Sequence, residues 1–330
     1  MAQLVGVLNT AHTPFCYMDV DSWEVVREKR ASLREDVPID SHEESVAKRA
    51  RVEAGFSTLR DKLAELRPDV LVVFGDDQEE LFDFNNHPAI AVFVGEHFSG
   101  QATAANNMLG TREPDPSIPR TECDGHPGLA TALLTGLLDS GFDPAFMMEV
   151  PDTERGMGHA IIRPLESLTN LDIPTVPLLL NAYYAPQLTA TRCYEIGKAV
   201  REMIDAYPED LRVVIIGSGG LWHTPGQKGS YLDEAFDQQA LSYLEEGDVK
   251  AWAQHFDAYV VQPGDVSQDV STPRRGITGL PTPGGPQGGT RETCNWIAAS
   301  AAIEGHPSVV IDYIPIYASP VGAAFAYSVL

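Results

Sequence analysis

The sequence is poor in positive charge. Its 330 residues include 23 Lys and Arg but 47 Asp and Glu, which gives a formal net charge of −24. Nucleic acids and anionic membrane surfaces are themselves polyanions and would repel such a chain. We therefore expect neither as a partner, and we interpret the acidity as a solvated protein surface.

Long apolar runs and paired cysteines are also missing. No apolar stretch approaches the ~20 residues needed to cross a bilayer, and no basic segment precedes the first apolar run as it would in a signal peptide. The four cysteines contain no C-x-x-C pair, so neither a disulfide framework nor a cysteine-bound zinc is indicated. These absences predict a cytoplasmic protein with reduced cysteines.

Three common catalytic motifs are absent as well. There is no H-E-x-x-H helix motif and no G-x-S-x-G elbow, and the G-S-G-G at 217–220 lacks the lysine of a phosphate-binding loop. Zinc peptidases, α/β-type serine hydrolases and P-loop nucleotidases are therefore disfavoured.

What the chain does contain is a series of short apolar runs that alternate with helical patterns. Hydrophobic residues make up 43% of the sequence, enough for a sizeable core. The predicted strands are Leu4–Asn9, Val70–Gly75, Ala89–Val94, Ala145–Val150, Thr175–Asn181, Leu211–Gly217 and Ser308–Ile316. Because these runs are almost continuously hydrophobic, they predict strands that are covered on both faces. We therefore expect a sheet sandwiched between helices, with no linker that would separate two cores.

The helical patterns lie between these runs. Ser41 to Glu44 offers a capping box before a long helix that ends near Arg67. Further helices are predicted at His126–Ser140, Thr189–Tyr207, Leu232–Glu246 and Arg291–Glu304. We find no internal repeat.

Isolated polar residues follow several of the predicted strands. His12, Gln78 and His223 each come just after an apolar strand, and Glu292 lies at the start of a helix. The carboxyl ends of strands in open α/β sheets form ligand crevices, so these residues can face one cavity. An imidazole and a carboxylate in such a cavity are the beginnings of a non-haem Fe(II) site.

The segment from Gln262 to Thr290 is rich in Gly and Pro and leads directly into Glu292. Long loops in compact domains are often lids or binding loops, which favours a pocket wall. A flexible surface loop or an oligomer contact is the alternative.

Seven motifs along the chain, read together, resemble the class III extradiol ring-cleavage dioxygenases, in particular the catalytic β subunit of protocatechuate 4,5-dioxygenase. They occur in the family's order: NTAHTPF, VVFGDDQEELF, DGHPGLA, GMGHAIIRPL, YPEDLRVVIIGSGGLWH, TRETCNWI and YASPVGAAF. The resemblance implies that residues 1–330 form one catalytic domain. It also implies a three-layer α/β/α sandwich around a central mixed, largely parallel sheet.

The resemblance also implies roles for single residues. His12 and Glu292 match iron ligands, and His223 matches the acid–base histidine of the family. His159 matches a histidine that contacts the substrate and takes part in catalysis. Two further substrate contacts are expected, from the pocket serine Ser319 and from Trp222 beside His223.

One position departs from the family pattern. Where the family has Asn-Asp-His after its second strand, this chain reads Asp76-Asp77-Gln78, so glutamine replaces the second iron histidine. An amide oxygen is a harder and weaker donor to Fe(II) than imidazole. Three interpretations stay open: Gln78 binds the metal directly, Gln78 holds a metal-bound water, or another nearby side chain takes its place. The candidates for that substitution are Asp77, Glu80 and His87.

The function implied is an Fe(II)-dependent extradiol dioxygenase, which inserts both atoms of O2 into a catechol-type diol and opens the ring beside the hydroxyls. A carboxylate on the substrate would favour an arginine partner, and the candidates are Arg163, Arg274, Arg275 and Arg291. Either the Gly/Pro-rich loop, the extended stretch from Cys16 to Asp40 or a second copy of the chain could cover the pocket in place of a small partner subunit. A homodimer is predicted.

Two other functions remain as alternatives to this interpretation. A relative that has lost its metal would act as a binding or scaffold protein. A zinc hydrolase on the same frame would use a metal-bound water instead of O2.

Overall fold

The computed structural model describes residues 1–29, 33–101, 119–150, 154, 156–224, 229–261, 280 and 282–330. The strands are β1 (Gln3–Ala11), β2 (Val70–Gly75), β3 (Ile90–Phe93), β4 (His97–Gly100), β5 (Thr121–Asp124), β6 (Ala145–Met147), β7 (Thr175–Leu180), β8 (Arg212–Gly219), β9 (Val309–Ile316) and β10 (Val321–Val329). The α-helices are α1 (Val20–Lys29), α2 (His42–Leu66), α3 (Pro127–Asp139), α4 (His159–Leu168), α5 (Ala190–Ala206), α6 (Glu234–Glu246), α7 (Val249–Ala258) and α8 (Thr293–Ala301). Short 3-10 helices lie at Pro14–Cys16 and Gly288–Glu292.

Eight strands form one mixed sheet in the order β6-β3-β7-β2-β8-β1-β10-β9. The four central strands β7, β2, β8 and β1 are parallel, and β6 is parallel to β3. Antiparallel pairs join β3 to β7, β10 to β1 and β9 to β10. The strands β4 and β5 form a separate two-stranded antiparallel sheet.

A hydrophobic core lies on each face of this sheet. One core packs α3, α5, α6, α7 and α8 against residues such as Val72, Phe74 and Ile215. The other packs α1, α2 and α4 against the alternate residues of the same strands, such as Leu71, Val73 and Ile216. The three-layer α/β/α sandwich expected from the sequence is therefore confirmed. None of the helices in the described ranges is long and apolar enough to cross a bilayer.

The strand register brings distant residues to one edge of the sheet. Thr10 of β1 lies opposite Ser218 of β8, and Phe74 of β2 lies opposite Gly217 of β8. Because these three strands are parallel, the residues that follow their carboxyl ends emerge side by side. The site described below is built at this edge.

The buried strand Val70–Gly75 and the capping box of the second helix agree with the sequence prediction. All six residues of that strand are buried. Ser41 Oγ accepts a hydrogen bond from the Glu44 backbone N–H, and Glu44 Oε2 accepts one from the Ser41 backbone N–H at 2.7 Å.

Other elements were not predicted. The stretch from Cys16 to Asp40 is not extended throughout, since it contains α1, whose Trp23 and Val26 side chains are buried in the core. The last strand, β10, and the helix α4 were missed. Pro164 lies inside α4 and interrupts the pattern of a helix in the sequence.

Candidate metal centre and its surroundings

His12, Asp76 and Glu292 form a buried cluster. His12 Nε2 lies 2.7 Å from Glu292 Oε2 and 3.9 Å from Asp76 Oδ1. One ligand atom from each of the three residues lies within 4.8 Å of the others, and all three side chains are buried. Among the residues that the structure describes, this is the group of histidine and acid side chains that can share a metal ion.

The position of Glu292 is fixed from two sides. It ends the 3-10 helix Gly288–Glu292, directly before α8. The preceding Arg291 donates hydrogen bonds to the backbone carbonyls of Leu188, Gly284 and Pro286. On the other side, a Cβ atom added at Gly219 would lie 2.5 Å from the Glu292 carbonyl oxygen, so the glycine permits this close approach.

His12 is oriented by groups behind it. Its Nδ1 lies 3.0 Å from Ser218 Oγ, and its backbone carbonyl accepts a hydrogen bond of 2.5 Å from Arg163 Nη1. When Nδ1 donates to the serine, Nε2 can offer a lone pair to a metal ion, whereas without a cation its 2.7 Å contact with Glu292 Oε2 requires a proton on Nε2. This is the arrangement by which a histidine ligand is usually held toward a metal.

Gln78 also reaches this cluster. Its Nε2 donates to Glu292 Oε1 at 2.7 Å and to Asp76 Oδ2 at 3.3 Å. Without a cation, the amide nitrogen of Gln78 faces the carboxylates because it can donate hydrogen bonds to them. Rotation of the amide by half a turn would place its oxygen at the same position, where it could bind a metal. Gln78 is therefore within reach of the predicted metal position.

The three residues considered as substitutes for Gln78 are engaged elsewhere. The Asp77 carboxylate accepts hydrogen bonds from the backbone N–H groups of Glu79, Leu81 and Phe82. The His87 ring packs against Tyr184, with 5.4 Å between ring centroids. Glu80 pairs with His159, as described below. The acid that does reach the cluster is Asp76, the first of two acids after β2, which was not among the ligands predicted from the sequence.

The charge balance of the cluster favours a cation. Burial, together with the negative charge of Glu292, raises the pKa of Asp76 to about 7. Burial by itself would raise the pKa of Glu292 too, but the adjacent His223 and His12 rings hold it well below its usual value. Two buried carboxylates side by side repel each other, and a divalent cation between them would relieve that repulsion. One imidazole with carboxylate and amide oxygens is a donor set that suits a divalent first-row metal.

His223 contacts the same carboxylate. Its Nε2 lies 3.2 Å from Glu292 Oε1, and its Nδ1 lies 2.9 Å from the Leu221 carbonyl oxygen. Both ring nitrogens thus face acceptors, an arrangement that only the doubly protonated ring satisfies. Burial lowers the pKa of His223, but the Glu292 charge outweighs it and leaves the pKa raised.

The space for the His223 ring depends on a glycine. A Cβ atom added at Gly289 would lie 2.2 Å from both Nε2 and Cδ2 of His223. The backbone N–H of His223 donates to Thr290 Oγ1 at 3.0 Å, which ties the histidine to the same 3-10 helix. Gly289 and Thr290 belong to the Gly/Pro-rich segment that was predicted to form a pocket wall, but neither residue was singled out from the sequence.

His159 lies beside His12. The two ring centroids are 4.6 Å apart with an interplanar angle of 70°. His159 is the first residue of α4, and its Nδ1 lies 2.6 Å from Glu80 Oε2. The structure thus brings together four of the residues singled out in the sequence, His12, His159, His223 and Glu292, and places Gln78 among them.

The structure places Ser319 in a turn next to the His223 loop and Trp222 in the hydrophobic core. Ser319 is buried in the turn between β9 and β10, and a bridge between His223 and Val321 connects this turn to the His223 loop. The Trp222 indole donates to the Tyr231 carbonyl at 2.9 Å and packs against Phe236 in the core. That packing gives no support to a substrate contact by Trp222, and both assignments stay predictions.

The arginine candidates divide into two groups. Arg163 and Arg291 are fully buried and donate to backbone carbonyls, so they hold the site together from behind. Arg274 and Arg275 lie outside the described residues. Most of the Gln262–Thr290 loop also lies outside them, so its predicted role as pocket wall stays a prediction.

Comparison with known proteins finds a matching family and several curated relatives. Residues 6–265 match the family described as the catalytic LigB subunit of aromatic ring-opening dioxygenase. The chain is 32% identical over 125 residues to a gallate dioxygenase of Pseudomonas putida, covering 36% of this chain and 35% of that protein. It is 28% identical over 172 residues to a 2,3-dihydroxyphenylpropionate/2,3-dihydroxicinnamic acid 1,2-dioxygenase of Photorhabdus laumondii, covering 52% and 48% of the two chains.

These matches have clear bounds. The aligned segments span about half or less of the length of the two curated relatives. A crystal structure of an uncharacterized Escherichia coli K12 protein aligns with 98% of this chain and 99% of its own, with a TM-score of 0.46 and 13% identity. The family match ends at residue 265, so it does not include Glu292. Because that match nevertheless extends over most of the sequence, the chain belongs to the family of the catalytic LigB subunit of aromatic ring-opening dioxygenase.

Proposed function

We propose that this protein is a metal-dependent dioxygenase that opens a catechol-type aromatic ring with O2. The observation that carries the proposal is the convergence of His12, Asp76 and Glu292 at one buried point, with His223 in contact with the same carboxylate. The family and the names of its relatives support the same reaction class.

The metal proposed is Fe(II), held by His12 and Glu292 together with an oxygen of Asp76 or Gln78. Three protein ligands would leave positions open for a diol and O2, as in sites with two histidines and one carboxylate. The second histidine of that pattern is replaced here by an oxygen donor, so we expect weaker binding of Fe(II). When bound, the ion would supply a Lewis-acidic centre for two adjacent substrate oxygens and a path for electrons to O2.

The protein groups would move the protons. His223 Nε2 is the atom that would accept a proton from a substrate hydroxyl and return it later in the reaction, since this ring faces the cluster and its Nδ1 is held by a backbone carbonyl. A cation bound by Glu292 would offset the negative charge that keeps Nε2 protonated, and the ring could then act as the base. His159, packed against His12, would contact the substrate. Ser319 stays a proposed pocket residue.

The test is oxygen consumption by the reconstituted protein. Protein purified without oxygen would be loaded with Fe(II) and mixed with catechol, protocatechuate, gallate, 2,3-dihydroxyphenylpropionate and a biaryl diol. We expect one O2 consumed per ring opened for at least one of these diols. His223→Gln should bind the metal normally but lower kcat by ~10²–10⁴-fold, the usual contribution of a general acid–base.

Three results would contradict the proposal. Protein that binds no metal would favour the scaffold alternative. Metal-loaded protein that consumes no O2 with any diol would exclude ring opening of these substrates. Activity that persists without O2 would favour a metal-dependent hydrolase.

We further propose that residues 1–330 act as one catalytic domain, since both cores pack on one sheet. A homodimer in the cytoplasm also stays a proposal. Size-exclusion chromatography with light scattering tests the homodimer, which a monomer would contradict. Cell fractionation tests the cytoplasmic location.

A further inference from the structure

The Glu80 carboxylate makes three contacts with one residue. Its Oε2 lies 2.6 Å from His159 Nδ1, and its two oxygens lie 3.2 and 3.3 Å from the His159 backbone nitrogen. The Glu80 side chain is 14% exposed and the His159 side chain 8% exposed, so the pair is largely shielded from water.

This contact determines which nitrogen of the ring carries the proton. A carboxylate can only accept at Nδ1, so Nδ1 must be protonated in this pair. The other nitrogen, Nε2, has no hydrogen-bond partner among the described residues. The His159 side chain keeps 8% of its surface exposed, so the ring is not completely closed off from solvent.

The His159 ring lies beside the candidate metal centre. It packs edge-on against His12, with 4.6 Å between centroids, and so borders the candidate metal centre. The glycine at position 158 leaves room for the Glu80 carboxylate, because a Cβ atom added there would lie 2.6 Å from Glu80 Oε2. Glu80 thus reaches His159 through a gap that a larger residue would close.

We propose that Glu80 is a positioning residue that holds His159 as the Nδ1–H tautomer against His12, with Nε2 left as the nitrogen presented to the substrate. This inference rests on the proposed function for its catalytic consequence, but the tautomer itself does not depend on that function. Buried carboxylates orient histidines in this way in other enzymes, and loss of such a partner typically costs about 10–100-fold in activity or affinity at metal sites.

A competing explanation is that Glu80 only stabilises the helix. A negative charge near the first backbone N–H groups of α4 is favourable by itself. The matched control for this explanation is Asp248→Asn, because the Asp248 side chain accepts from the Ala251 N–H at 3.0 Å at the start of α7. That variant also removes a negative charge from a helix N-terminus, but it leaves His159 and its carboxylate untouched.

The first experiment reads the tautomer directly. Full-length protein with ¹⁵N-labelled histidine, free of metal and loaded with diamagnetic Zn(II), would be examined by NMR, with His159→Gln to assign the signals. We expect His159 to carry its proton on Nδ1 in the wild type and in Asp248→Asn. Glu80→Gln should give a mixture of tautomers. An unchanged His159 spectrum in Glu80→Gln overturns the proposal.

The second experiment reads catalysis with Fe(II)-loaded protein. Glu80→Gln should lower kcat by about 10–100-fold with a smaller change in KM, and Glu80→Asp should recover part of the loss. In the double variant with His159→Gln, removal of Glu80 should cost no further activity, because it acts through that ring. An additive loss, or an equal loss in Asp248→Asn, overturns the proposal. If the wild type opens no diol, the proposed function fails, and the NMR result still decides the role of Glu80.

Discussion

His12 and Glu292 are separated by 280 positions in the sequence, yet His12 Nε2 and Glu292 Oε2 lie 2.7 Å apart. The contact joins the end of the first strand to the 3-10 helix before α8. His223 and Gln78 reach the other oxygen of the same carboxylate. Glu292 is therefore the side chain on which the candidate site is centred.

The first prediction concerns Glu292→Gln. The amide keeps the shape of the side chain but removes the charge that His12 and His223 face, so metal affinity should fall by at least about tenfold. Metal content by mass spectrometry and titration calorimetry with Fe(II) or Co(II) would measure it. Glu245→Gln, on the exposed face of α6, is the control and should bind normally. Equal affinity in both variants would exclude Glu292 as a ligand.

The second prediction concerns the departure from the family at position 78. Gln78→His places an imidazole next to Glu292 and Asp76, and a nitrogen donor should raise the affinity for Fe(II) by on the order of tenfold. Asp76→Asn in the wild-type background should weaken binding if the Asp76 carboxylate is a ligand. The same calorimetric titration serves both variants. Weaker binding by Gln78→His would show that position 78 does not face the ion.

The third prediction concerns Gly289→Ala. The added Cβ would come within 2.2 Å of His223 Nε2, so the ring has to leave its place beside Glu292. The cost to folding should be small because a side chain can move, whereas kcat should fall toward the level of His223→Gln. Oxygen uptake and thermal unfolding would be measured together. Full activity with an unchanged melting temperature would mean that the ring need not stay where the structure has it.

The fourth prediction concerns pH and Asp237. Burial raises the pKa of the Asp237 carboxyl to about 8, while Tyr313 and the Trp222 backbone N–H donate to its oxygens. In the unfolded chain an aspartate titrates near ~3.9. Between pH ~3.9 and about 8, Asp237 is therefore protonated in the folded state but ionised in the unfolded chain. Asp237 therefore lowers stability progressively as pH rises through this window, by up to about 1.4 kcal/mol per pH unit.

Asp237→Asn tests that prediction in metal-free protein. The amide cannot ionise, so between pH 5.5 and 7.5 the variant should gain about 2 kcal/mol of unfolding free energy relative to the wild type. Urea unfolding at both pH values would measure the difference. Asp139→Asn, at the exposed end of α3, should follow the wild type at both. A difference that does not change with pH would show that Asp237 is ionised in the folded state.

Much of the architecture could be predicted because it is local. The apolar run Val70–Gly75 becomes a fully buried strand, since a strand covered on both faces buries every residue and this short run is rich in β-branched Val. The capping box at Ser41 is likewise a matter of four adjacent residues. The two most distant site residues, His12 and Glu292, were found because each lies within a recognisable motif.

The neighbours of those residues depended on the tertiary structure. Asp76 and Asp77 are adjacent and chemically identical in the sequence. Only the chain path after β2 decides that Asp76 enters the cluster while Asp77 binds three backbone N–H groups. Trp222 and His223 are a similar pair, since the indole packs in the core while the imidazole reaches Glu292.

By itself, then, the sequence determined most of the buried strands and which side chains are able to bind a metal or carry a proton, because those properties belong to single residues and short runs. The fold decided how they combine. The parallel register of β1, β2 and β8 sets which strand ends lie side by side, and the direction of each side chain after its strand sets which acid meets which histidine. Those relations arise from packing between segments far apart in the chain, so no local pattern contains them.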